Sequence, residues 1–159
     1  MIGSIAWVGL FLLLRPYYRG LMYEKMGEAC YSGNYREVFI LLKLGASPDG
    51  SSDYGEATKN DIYEGEFTSH VMSAVGNPHI LKLLIESGAD PDISEGDGFT
   101  PLGAAVHDHQ NESIRILLAA GATPNYRKYR KDNPWTAIDQ ARKLGYLDLI
   151  PIIAPYIKP

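Results

Sequence analysis

A chain of 159 residues that is 45% hydrophobic, with 16 glycines and 10 prolines, suits one compact domain rather than two. Its 15 basic residues against 19 acidic ones give a net charge of -4, which argues against a general nucleic-acid binder held by phosphate contacts. The single cysteine, Cys30, cannot close an internal disulfide, so nothing requires an oxidising compartment and a reducing cytoplasm is expected.

The chain opens on 13 residues without a charge, Ile2 to Leu14, followed by Arg15-Pro16-Tyr17-Tyr18-Arg19. As a helix this run would span about 20 Å, short of the roughly 30 Å hydrocarbon core of a bilayer. No basic region precedes it and no small-residue cleavage signal follows, which speaks against a secretory signal peptide. Two readings of residues 1–19 stand: a membrane anchor whose downstream Arg and Tyr pairs sit at the interface, or a helix packed on the open end of the domain. Positive charges on its C-terminal side would leave the rest of an anchored chain in the cytoplasm.

Downstream, one pattern occurs three times: Ile40-Leu41-Leu42-Lys43-Leu44-Gly45-Ala46, Leu83-Leu84-Ile85-Glu86-Ser87-Gly88-Ala89 and Ile116-Leu117-Leu118-Ala119-Ala120-Gly121-Ala122. Gly88 to Gly121 is 33 residues, and Gly45 to Gly88 is 43, one such period plus an insertion that the polar stretch 50–66 can supply. A fixed period of this size means stacked units. Each run places its apolar residues at three- and four-residue spacing, as Ile114, Leu117 and Leu118 show, and each ends in a glycine with a proline two or three residues on. A two-helix unit of this kind cannot hide its apolar face alone, so neighbours must stack.

These residues resemble the ankyrin family, whose repeat reads Thr-Pro-Leu-His, a short helix, a tight turn, a second helix, then Gly-Ala and a hairpin. In chain order, the first repeat covers about residues 24–49, with Met26, Ala29, Cys30, Gly33, Val38, Leu41 and Leu42 at the family's apolar and turn positions. The second, about 67–92, matches at Gly76, Leu81, Leu83 and Leu84; counting without a gap puts His70 at the family's histidine and Phe67-Thr68-Ser69 where Thr-Pro-Leu belongs. The third, about 100–125, opens on Thr100-Pro101-Leu102 with Gly103 in place of histidine. The fourth, about 136–157, starts Thr136-Ala137-Ile138 and runs out in Pro151, Pro155 and Pro159, as a C-terminal cap would. The resemblance therefore implies an all-α solenoid of about four helix-turn-helix units over residues 20–159; the uncharged run ahead of it, which is not ordinary ankyrin sequence, reads as an added apolar helix.

No phosphate-binding loop, nucleophile elbow, Cys-x-x-Cys or His-Glu-x-x-His occurs, so neither catalysis nor a cofactor is expected. Cys30 reads as a packing residue. His107, Asp108 and His109 are consecutive, and consecutive helical residues do not converge on one metal ion. They read instead as the end of a first helix and the turn after it, and His70 reads as structural.

The resemblance implies a protein partner held by the hairpin tips and the outward side of the first helices. The first tip and the insertion carry Asp49, Asp53 and Tyr54 in an acidic stretch that includes Tyr63, and the second tip carries Asp90, Asp92, Glu95 and Asp97. The third tip, Tyr126-Arg127-Lys128-Tyr129-Arg130-Lys131, is basic and aromatic. Tyr and Arg are enriched where interfaces concentrate binding energy, and such polarised charge steers a complementary partner. Tyr31, His107, Asp108, Lys143 and Leu144 should line the same side. A monomer that binds, and masks or inhibits, one specific protein is expected, since small ankyrin-only proteins similar to this one often do so, some bacterial immunity proteins among them. A membrane-tethered scaffold is the alternative, and nucleic acid is not an expected partner.

Overall fold

A computed structural model of the chain describes residue 18 and residues 20–50, 69–93, 99–124 and 136–157. Helix α1 runs through residues 20–32 and pairs with α2, Tyr35–Lys43. The next pairs are α3, His70–Ser73, with α4, Pro78–Glu86, and α5, Pro101–His107, with α6, Asn111–Ala119. Last come α7, Ala137–Leu144, and α8, Ile150–Ile153, which is flanked by 3-10 turns at Leu147–Leu149 and Ala154–Tyr156. The described residues hold no strand.

The second helices stop by one repeated mechanism. Gly45, Gly88 and Gly121 sit at φ of +89°, +97° and +95°, the left-handed region that glycine enters without steric cost. The following alanine N–H then reaches back into the helix: Ala46 to Leu41 O at 3.0 Å, Ala89 to Leu84 O at 3.1 Å, Ala122 to Leu117 O at 2.9 Å. These are Schellman closures, and they turn the chain out into each hairpin tip.

First helices are started by hydroxyl caps. Ser69 accepts from Met72 N, Thr100 from Gly103 N, and Thr136 from Asp139 N, while the Asp139 carboxylate returns the bond to Thr136 N to complete a capping box. Those bonds from Thr136 hold the Asp139 carboxyl below the usual range. Helix α1 is already helical at residue 20, four residues ahead of Glu24, which stands in register with Thr100.

The second unit corrects the gap-free count. Its second-helix cap, Asn77, stands 33 residues before Gln110, but its first-helix cap, Ser69, stands only 31 before Thr100. The joining turn is thus two residues short, closed by Asn77 N–H to Ala74 O, where the other units close over five residues, as Gln110 N–H to Ala105 O does. Ser69 consequently occupies the threonine position, and His70 the first helical position rather than the family's histidine. Burial agrees, since Val71, Ala74 and Val75 align with Leu102, Ala105 and Val106 and with Met26, Ala29 and Cys30, all in the core.

Those residues and the inward faces of the second helices, among them Leu81, Leu84, Ile114 and Leu117, form one continuous apolar cluster along the stack. Removing each large side chain from water contributes about 1.5–3 kcal/mol, which is why units that could not fold singly hold together. Leu149 and Ile153 close the far end, and Pro151 and Pro155 keep that element short.

Candidate functional site: the first-helix ends and hairpin tips

The register just described fixes which residues share an edge. Three residues before each second-helix cap stand Tyr31, Ala74, His107 and Lys143, one per unit. Tyr31 is 85% exposed, and His107-Asp108 and Lys143-Leu144 are exposed beside it along the stack, as expected for one face. The second unit departs from the row. Its shortened turn removes the two residues that would project there, leaving Ala74 and Val75 buried before Gly76. The row is therefore notched between Tyr31 and His107.

The turn residues are held by specific contacts. His107 Nδ1 lies 2.8 Å from Asp108 Oδ1, and His109 Nε2 lies 2.9 Å from Asp148 Oδ2 in the next unit, so the two imidazoles face different carboxylates. His109 takes φ +54°, and its ring stacks on Tyr146 at 4.2 Å, a contact that offsets the strain of a left-handed non-glycine residue. The bond from His109 holds the Asp148 carboxyl below its usual range. Sequence reasoning missed this link because Asp148 is 39 residues away, in the next unit.

At the tips, Asp49 and Asp92 do structural work. Asp49 Oδ1 accepts from Asp90 N at 2.6 Å; Asp92 accepts from Thr123 N at 2.8 Å and from Thr123 Oγ1 at 2.5 Å. Asp49 and Asp92 occupy the same repeat position, so each ties its own tip to the next one and fixes the spacing of the edge. Asp53, Tyr54, Glu95, Asp97, Tyr126, Arg127, Tyr129 and Arg130 lie outside the described residues, as does the segment 2–14.

His70 supports the edge from below. Its Nδ1 is 3.1 Å from Ser47 O in the first tip and its Nε2 3.1 Å from Tyr23 O in α1, with the Tyr23 ring 4.9 Å away. Two carbonyls favour an imidazolium, but burial opposes it more strongly and pushes the pKa down. Gly50 makes room for the ring: a Cβ there would stand 3.0 Å from it. Cys30 is buried, and desolvation pushes its thiol up to about 12, which leaves no thiolate for nucleophilic chemistry. Among the described residues no group of three His, Cys, Asp or Glu side chains could hold a metal.

Helical hairpins stacked on one continuous core, with paired tips along one edge, define a solenoid of the kind that presents an extended binding surface. Residues 26–128 and 69–158 match the family model of ankyrin repeats, in 3 copies. The chain belongs to the ankyrin-repeat family. It is 49% identical over 49 residues to protein phosphatase 1 regulatory subunit 12A of Mus musculus, a stretch that is 31% of this chain and 5% of that protein. To ankyrin repeat protein nuc-2 of Neurospora crassa it is 33% identical over 129 residues, 80% of this chain and 11% of that protein. Ankyrin repeat and SOCS box protein 3 of Homo sapiens is 33% identical over 78 residues, 49% of this chain and 15% of its own length. The matched stretches are thus a small part of these relatives, and what they share with this chain is the repeat array. Ankyrin repeats make it a protein–protein interaction module.

Proposed function

We propose that this chain binds one specific protein along the edge formed by the first-helix ends and the hairpin tips, and that occupying that partner's surface masks it. The observation that carries the reading is the in-register exposure of Tyr31, His107-Asp108 and Lys143-Leu144 on a rigid stack, beside tips whose spacing Asp49 and Asp92 hold. An exposed aromatic on a pre-organised backbone needs little ordering on binding, so its buried area converts efficiently into affinity. In sequence, the acidic Asp53, Glu95 and Asp97 with Tyr54, and the basic Arg127 and Arg130 with Tyr126 and Tyr129, carry opposite charge in the segments that follow the tips, a pattern that would steer a partner of complementary polarity. One relative is by name a regulatory subunit of a protein phosphatase, in keeping with such a role.

The test is native co-purification followed by titration of the recovered partner. Replacing Tyr126, Arg127, Tyr129 and Arg130 together by alanine is expected to weaken a stoichiometric complex at least tenfold, about 1.4 kcal/mol. Binding that survives the change, or no partner at all, counts against the reading.

A second reading is favoured by one structural fact. Seven of the eleven exposed large hydrophobic side chains among the described residues lie between residues 18 and 44, in the part of the chain that follows the uncharged segment 2–14. In this reading residues 2–14 tether the array to a membrane while the edge recruits a soluble protein. No helix among the described residues is long and apolar enough to cross a membrane, so the tether would be that segment alone.

A further inference from the structure

The outward faces of the three long second helices can be compared position by position. On α4 the face reads Pro78, His79, Lys82, Leu83, Glu86 and Ser87; on α6 it reads Asn111, Glu112, Arg115, Ile116, Ala119 and Ala120. Both mix charges, and on α4 Lys82 lies 3.9 Å from Glu86. On α2 the same positions hold Tyr35, Arg36, Phe39, Ile40, Lys43 and Leu44. Four are exposed apolar side chains, with Leu44 at 63%, and the two charges are both positive. At about 100° per residue, Tyr35 and Phe39 form one row, Ile40 and Leu44 another, and Arg36 and Lys43 run between them. Lys43 Nζ lies over the Phe39 ring at 5.4 Å, its stem along the apolar surface. The one carboxylate of α2, Glu37, is turned away from this face: it stands in register with the buried Ile80 and Ser113 and accepts from Asn34 Nδ2 at 2.9 Å.

An exposed stripe of this composition is covered by something that offers both apolar surface and negative charge. Residues 2–14 offer only the first, since they contain no Asp or Glu; laid over α2 they would shut Arg36 and Lys43 away from any counter-charge, at a cost no apolar contact repays. An anionic lipid surface offers both, with acyl chains for the apolar rows and phosphates for the basic row between them. A 13-residue apolar run is also too weak an anchor by length alone, and a basic and apolar face elsewhere on the chain is the second attachment such an anchor needs.

We propose that the outward face of α2 lies on an anionic membrane surface, Arg36 and Lys43 meeting lipid phosphates while Phe39, Ile40 and Leu44 enter the acyl boundary. The inference rests on the membrane-tethered reading and gives it an orientation: the array lies against the bilayer on its second-helix side, with the first-helix edge turned outward and open to a protein.

The experiment uses the full chain and two sets of vesicles, phosphatidylcholine alone and phosphatidylcholine with about one third phosphatidylserine. Sedimentation is expected to recover the chain with the anionic vesicles, and Arg36→Glu with Lys43→Glu to lower that partition about tenfold or more, at unchanged helix content and urea midpoint. Because Cys30 is buried, a bimane attached to the Ile40→Cys variant is directed to this face. Its emission shifts to the blue on adding anionic vesicles if the proposal holds. A probe already blue-shifted without vesicles places a protein segment on the face and overturns the proposal. Vesicle binding that ignores the α2 charges, with no probe shift, overturns it while leaving a tether through residues 2–14. Failure to bind either vesicle overturns the tethered reading as well.

Discussion

His70 is the residue on which the first two units depend. Buried between Tyr23, Ser47 and Gly50, it joins α1, the first tip and α3. His70→Ala removes a buried ring and leaves two carbonyls facing a void, so urea denaturation should show a loss of about 2–4 kcal/mol. The pH dependence follows from the lowered pKa, whose main cause is burial. A depressed value in the folded state means the unfolded chain binds the proton more tightly, so protonation pulls toward unfolding. The stabilisation is full above the ordinary histidine value of about 6.5 and is lost as pH falls below it. Urea midpoints at about pH 7.5 and pH 5.5 should therefore differ in the wild type and differ less in His70→Gln. Cys30 gives an independent check: with its thiol pushed up to about 12, it should resist a disulfide reagent in the native protein and react once urea unfolds it.

Among the elements, helix termini decide most of the local structure, and they also explain where the sequence misled. The Schellman glycines are legible because the left-handed position is paid for in residue type. Gly121→Ala, at φ +95° with open space around it, should cost about 1 kcal/mol through strain alone. Gly76 lies outside the left-handed region and touches nothing within 4 Å, so Gly76→Ala should stay within about 0.5 kcal/mol by the same urea measurement. That contrast was hidden in the sequence, where Gly76 looks like Gly33 and Gly145, the left-handed turn glycines of the first and fourth units. Counting residues assumes a constant turn length, and the second unit breaks that assumption by two residues, which is why His70 looked like the family's histidine and Ser69 like a misplaced leucine. The signal that could have corrected it was burial periodicity, since Val71, Ala74 and Val75 carry the three- and four-residue spacing of Met26, Ala29 and Cys30.

At the scale of the whole molecule, stability is a sum of interfaces between neighbouring units. Leu84, fully buried between its neighbours, should on truncation to alanine cost about 2–5 kcal/mol. The stack itself was legible because its period, apolar faces and glycine stops are written in consecutive residues. Much of the edge was legible for the same reason, including Tyr31, His107, Asp108, Lys143 and Leu144. What the sequence did not show are contacts between units: the Asp49 and Asp92 bonds that link successive tips, the His109 to Asp148 pair, and the apolar and basic face of α2. Each of these needs the stack to be built before its members meet. The account's central claim is that the first-helix and hairpin edge binds a protein, and calorimetric titration of the co-purified partner tests it most directly. Tyr31→Ala with His107→Ala should weaken a one-to-one complex at least tenfold, about 1.4 kcal/mol, while Arg115→Ala on the opposite side leaves it unchanged. Affinity that holds in the edge variant and falls in Arg115→Ala would contradict the account.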